Sequence, residues 1–182
     1  GRAKTRFGIS VVRGLTPFVG RRKELDHLMD CYALVKKGQG QVVGIVGEAG
    51  VGKSRLLRQM IETLPPQPFL YLEGECLHYG ETVAYLPILT ILRSYFGIEE
   101  GDAEPAASRK LHEKVRELNE KLEKVLPPLC ELLSLETEER EYASLKPQQK
   151  REKTFEAISS LLLRESRNGP VVIAIEDFQW ID

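Results

Sequence analysis

The sequence offers little for a membrane, an oxidising compartment or a nucleic-acid backbone to act on. It has three cysteines, Cys31, Cys76 and Cys130. They lie far apart and form no C-x-x-C pair. That speaks against a disulfide framework and a cysteine metal site, and fits a reducing cytoplasm. No apolar run approaches the length of a bilayer span, so no membrane partner is expected. The start, Gly1-Arg2-Ala3-Lys4, has no apolar segment behind it and does not read as a signal peptide. Gly1 in place of Met reads as a processed or excised terminus. Charge of one sign is also missing: 26 Lys and Arg stand against 27 Asp and Glu, a net charge of -1. Without a basic field, nucleic acid is not expected as a partner, and any polyanion must be held at a local site. Repeats and low-complexity tracts are absent as well.

What remains is the composition of a globular protein, 42% hydrophobic and 29% charged over 182 residues, enough for one domain with a real core. Its most informative stretch is Gly47-Glu48-Ala49-Gly50-Val51-Gly52-Lys53-Ser54. The apolar run Val42–Val46 precedes it and the helix-prone run Arg55–Ile61 follows. A strand, a G-x-x-x-x-G-K-S loop and a helix together form the P-loop pattern. Glycines let successive backbone N–H groups turn inward around an anion, and the helix adds its positive end. Lys53 brings a point charge to the β- and γ-phosphates, and Ser54 a hydroxyl to Mg²⁺.

Around this loop the chain reads as alternating helices and strands. Residues 1–14 are a basic linker or an edge strand, with Phe7–Val12 as its apolar part. Apolar residues at helical spacing predict a helix over 21–37, stopped by Gly38-Gln39-Gly40. Val42–Val46 is expected as the first core strand. The helix after the P-loop ends at Pro65-Pro66. Phe69–Gly74 reads as a second strand, apolar enough for a parallel sheet covered on both faces. Residues 76–86 are expected as a loop, and His78 in it reads as a hydrogen-bonding residue more than as a catalytic base. Pro87 opens a helix that ends at Gly97. Residues 99–108 are expected as a surface loop. From Arg109, Leu111, Val115, Leu118, Leu122 and Val125 form a stripe that reads as a packing face more than a coiled coil. Pro127-Pro128 breaks it. Residues 136–146 are expected as loop. Pro147 opens a helix of about twenty residues with Phe155, Ile158, Leu161 and Leu162 inward. Asn168-Gly169-Pro170 stops it.

The last segment, Val171-Val172-Ile173-Ala174-Ile175-Glu176-Asp177, reads as a buried parallel strand delivering two acids at its C-terminal end. Ligands sit at that end of open α/β sheets. Nucleotide hydrolysis needs one carboxylate for Mg²⁺ and another to polarise the attacking water, and Glu176 and Asp177 can take these roles.

Phe18-Val19-Gly20-Arg21 with Glu24-Leu25, GEAGVGKSRL from Gly47 to Leu56, and IEDFQWID from Ile175 to Asp182 resemble the signal-transduction (STAND-type) branch of the AAA+ ATPases. The approach Arg13–Arg21, with Cys76, Tyr79-Gly80-Glu81 and Ala84–Pro87, is similar to the ATPase module that follows the catalytic domain of bacterial adenylate/guanylate cyclases. The resemblance implies a three-layer α/β P-loop NTPase (ASCE/AAA+-like) over residues 15–182, truncated after the Walker B strand. It implies ATP and Mg²⁺ as cofactors and an attached signalling output domain, such as a nucleotide cyclase. Val19, Gly20 and Arg21 would lie beside the adenine. Gly47, Glu48, Ala49, Gly50, Val51, Gly52, Lys53, Ser54 and Arg55 would form the phosphate side. Ser54, Glu176 and Asp177 would serve the metal, with Asp177 orienting water. Glu in place of the commoner Asp reaches one methylene further, which leaves open which acid meets the metal. Gln179 stands where the group often carries His.

The resemblance also implies that the P-loop strand neighbours the Glu176 strand, and that the sensor, lid and arginine-finger residues lie beyond Asp182. An uncovered apolar strand edge would follow, with self-association or pairing by Phe7–Val12 as its remedy. Three readings of activity follow: a slow ATPase, a nucleotide-dependent oligomerisation switch without significant turnover, and, less favoured, a P-loop kinase acting on a small molecule.

Overall fold

A computed structural model describes residues 18–76, 85–137 and 139–180, with the side chain of Lys121 excepted. The expectations for residues 1–14, His78 and Tyr79–Glu81 lie outside the described residues. The chain falls into two compact units, one ending at Gln67 and the other beginning at Pro68.

In the first unit, α1 (Arg22–Val35) and α2 (Lys53–Thr63) pack against each other. The 3.6-residue repeat puts Leu25, Leu28 and Tyr32 on the buried stripe of α1, and Leu56 and Met60 on that of α2. Gly38, at φ 80°, ends the turn after α1 in a conformation that side chains avoid. The P-loop helix stops at Leu64, before Pro65-Pro66, as the sequence predicts.

The expected core strand Val42–Val46 is corrected here. Among the described residues no strand pairs with it, and Val42 and Val46 are almost wholly exposed. An apolar run becomes a core strand only where neighbours satisfy its N–H and C=O groups and helices cover its faces. The described part of its own unit supplies two helices and no strand.

In the second unit, β1 (Leu70–Glu75) and β2 (Val171–Glu176) form a two-stranded parallel sheet. The register runs from Leu70 beside Val171 to Glu75 beside Glu176. Among the described residues, the strand that pairs with the Glu176 strand is β1. Between the strands lie α3 (Leu86–Phe96), α4 (Glu104–Leu118), a 3₁₀ segment at Glu120–Val125, α5 (Leu126–Leu132), α6 (Arg140–Ala143) and α7 (Pro147–Glu165). α3 lies directly on β1, and Gly74 permits it: a Cβ there would stand 2.8 Å from the Pro87 carbonyl oxygen.

The stripe of apolar residues packs inside the unit, as a packing face would. Leu111, Val115, Leu118 and Val125 bury with Leu129, Cys130 and Leu161, although the helix itself breaks at Asn119. Three local expectations change. The helix expected from Arg109 begins at Glu104, because Pro105 fits a first turn and Ala107 is buried. Within 136–146, α6 forms one turn, and buried Tyr142 anchors it through a hydroxyl donated to Glu131. Phe155 is 47% exposed, since the buried face of α7 is set by Ala157 and Leu161 and Phe155 lies about 200° away from Ala157. Its ring instead meets Tyr85 edge-on, with Arg151 over it.

Among the described residues no helix is long and apolar enough to cross a membrane.

Candidate functional site

The sequence-predicted site is divided between the two units. The phosphate half, Gly47–Arg55, and the segment Val19–Arg21 belong to the first; Glu176 and Asp177 belong to the second.

The P-loop turns through Gly50 at φ 79° and Gly52 at φ 89°, both in the left-handed region, where a side chain would be strained. Gly52 then starts α2, and the amide of Leu56 donates to its carbonyl at 3.0 Å. The N-cap residue makes no side-chain cap hydrogen bond, and the positive end of the helix favours an anion. Lys53 folds back over the loop. Its Nζ donates to the carbonyls of Gly47 at 2.9 Å and Glu48 at 3.0 Å. The ammonium is thus held at the loop by the backbone of the loop itself. Gly47, Glu48, Ala49 and Gly50 are exposed, while Gly52, Lys53, Ser54 and Arg55 are half-buried. A loop of left-handed glycines, an uncapped helix start and a lysine at its mouth fit a polyphosphate.

Arg55 points elsewhere. Its guanidinium carbon lies 5.7 Å from the centre of the Phe18 ring, and its Nη1 is 3.8 Å from Glu62, which also takes a 2.8 Å bond from Arg58. Phe18 was not among the residues expected at the site. The signal that could have found it is its position just before Val19-Gly20-Arg21. Gly20 at φ 75° and Arg21 at φ 53° turn the chain into α1, and Val19 is exposed.

In the second unit, parallel pairing carries Glu176 to the C-terminal end of β2, where its carbonyl accepts from the Cys76 amide at 3.1 Å. Asp177 then turns sharply at φ 53°, and its carbonyl accepts from the Trp180 amide at 2.9 Å. Gln179 Nε2 approaches Asp177 Oδ1 at 3.4 Å. Among the described residues no cluster of three or more His, Cys, Asp or Glu side chains forms a metal centre.

A family model described as the AAA ATPase domain matches residues 17–182, most of the chain. The chain belongs to the AAA ATPase domain family. Nucleotide binding, with ATP as the nucleotide, goes with that membership. The chain is also similar to an uncharacterized protein of Rhizobium meliloti (strain 1021), 31% identical over 91% of this chain. It spans 16% of the length of that relative. No solved structure matches.

Proposed function

We propose that this AAA ATPase domain binds ATP with Mg²⁺ through Gly47–Ser54 and hydrolyses it slowly, as a STAND-type regulatory module of a larger bacterial signalling protein such as a nucleotide cyclase. The observation that carries the reading is the P-loop: left-handed Gly50 and Gly52, an uncapped α2, and Lys53 held at Gly47 and Glu48. Lys53 then exchanges two carbonyl bonds for phosphate oxygens, a stronger charge-assisted pairing. Glu176 helps hold Mg²⁺ and Asp177 orients water. Val19, Gly20 and Arg21 lie beside the base. A three-layer α/β core is part of this proposal. The much greater length of the relative supports a module within a larger protein.

A second reading is a nucleotide-dependent switch with negligible turnover. The contact of Gln179 with the Asp177 carboxylate favours it, because an acid engaged by its own neighbour is less available to water. Phosphate release from MgATP, compared between the parent and Asp177→Asn, separates the two. Steady release that Asp177→Asn abolishes while ATP still binds supports the enzyme. Binding with no release above background supports the switch.

A further inference from the structure

Arg55 follows the Lys53-Ser54 pair directly, yet its guanidinium is engaged with Phe18 and Glu62. Glu62 anchors it from two turns further along α2, with Arg58 completing the ion cluster. The ring centre lies 5.7 Å from the guanidinium, within the range of an attractive cation–π contact. Phe18 in turn immediately precedes the Val19-Gly20-Arg21 turn into α1. The contact therefore ties the turn before α1 to the first turn of the P-loop helix.

We infer that Phe18 and Arg55 are a positioning pair that sets the distance between the base subsite and the phosphate loop, and so makes the site select a nucleoside triphosphate over bare triphosphate. The inference rests on the nucleotide reading above, with the base against Val19–Arg21. A base and a phosphate chain bind as one ligand only if the two segments that hold them keep a fixed spacing. Without the tie, the phosphate loop still binds triphosphate, but the base contributes less. Arg55 acts here through Phe18, not as a direct phosphate ligand.

The test is calorimetric titration of MgATP and of magnesium tripolyphosphate into the parent, Phe18→Leu, Arg55→Gln, the double variant and Phe18→Tyr. A cation–π contact of about 1 kcal/mol corresponds to about a fivefold loss of ATP affinity in Phe18→Leu. The expected result is that loss with tripolyphosphate affinity unchanged, no further loss when Phe18→Leu is added to Arg55→Gln, and recovery in Phe18→Tyr. Independent losses in the double variant, an equal fall for tripolyphosphate, or no effect of Phe18→Leu overturn the inference. If the parent binds ATP and Lys53→Ala does not, a neutral Phe18→Leu sinks the positioning pair and leaves the nucleotide reading standing. A parent that binds neither ligand overturns both.

Discussion

Replacing Gly74 by alanine should loosen the second unit, and the size of the effect follows from the β1–α3 contact. An added Cβ would lie 2.8 Å from the Pro87 carbonyl oxygen and 3.0 Å from Ile91 Cδ1. Ordinary C–H···O contacts sit at about 3.3–3.6 Å, so α3 must retreat by roughly half an ångström or more. The obstacle is backbone, which cannot rotate away as a side chain can. Overpacking of this kind costs about 1–3 kcal/mol, reduced by the alanine's lower unfolded-state entropy, for a net of about 1–2 kcal/mol. With a urea slope of about 2 kcal/mol/M, the midpoint falls by roughly 0.5–1 M. Trp180, the sole tryptophan, follows β2 in the same unit and reports the transition by fluorescence. A companion variant identifies the obstacle. Ile91→Val removes Cδ1 but leaves the carbonyl, so Gly74→Ala should still lower the midpoint in that background. An unchanged or raised midpoint for Gly74→Ala, or full rescue by Ile91→Val, refutes the reasoning.

Two further outcomes are expected in the second unit. Burial pushes the Glu131 carboxyl up, but hydrogen bonds from Lys150 and Tyr142 outweigh it and leave its pKa below the ordinary 4.5. A group lowered on folding contributes stability above its unfolded value and loses it as pH falls through the folded value. The pH dependence of the urea midpoint should therefore weaken below about pH 4.5 in Glu131→Gln, and identical acid profiles would count against the network. Cys76 and Cys130 are buried, and burial raises the Cys130 thiol pKa, whereas Cys31 is half-exposed. Ellman's reagent should thus modify one thiol quickly in the native protein, and Cys31→Ser should remove that fast phase; three equally fast thiols would contradict the burial.

The elements legible in the sequence were those whose signals are local. Gly97 at φ 65° closes α3, Pro65-Pro66 follows the end of α2, and Glu176 ends a parallel strand. Each depends on a glycine, a proline or a short apolar run. The Val42–Val46 expectation failed because a strand is a relation between segments, and its own composition cannot supply a partner. Phe155 failed for a similar reason: one aromatic on a helix does not fix the phase of the buried stripe, which small Ala157 and Leu161 set. Glu104–Ser108 looked like loop because acidic and small residues suit a first helical turn equally well. In the candidate site, the loop at 47–54 was readable from spacing alone. The engagement of Arg55 with Phe18 was not, because the two are far apart in sequence and meet only when α1 packs on α2.

The central claim is that Lys53 and the Gly47–Ser54 loop hold the phosphates of ATP. Its most direct test is calorimetric titration of MgATP into the parent and into Lys53→Ala, with urea midpoints showing that both are folded. The account predicts saturable binding by the parent and loss of measurable binding by Lys53→Ala, since the substitution removes the charge at the mouth of the loop. Lys53→Ala binding MgATP with the affinity of the parent would contradict it.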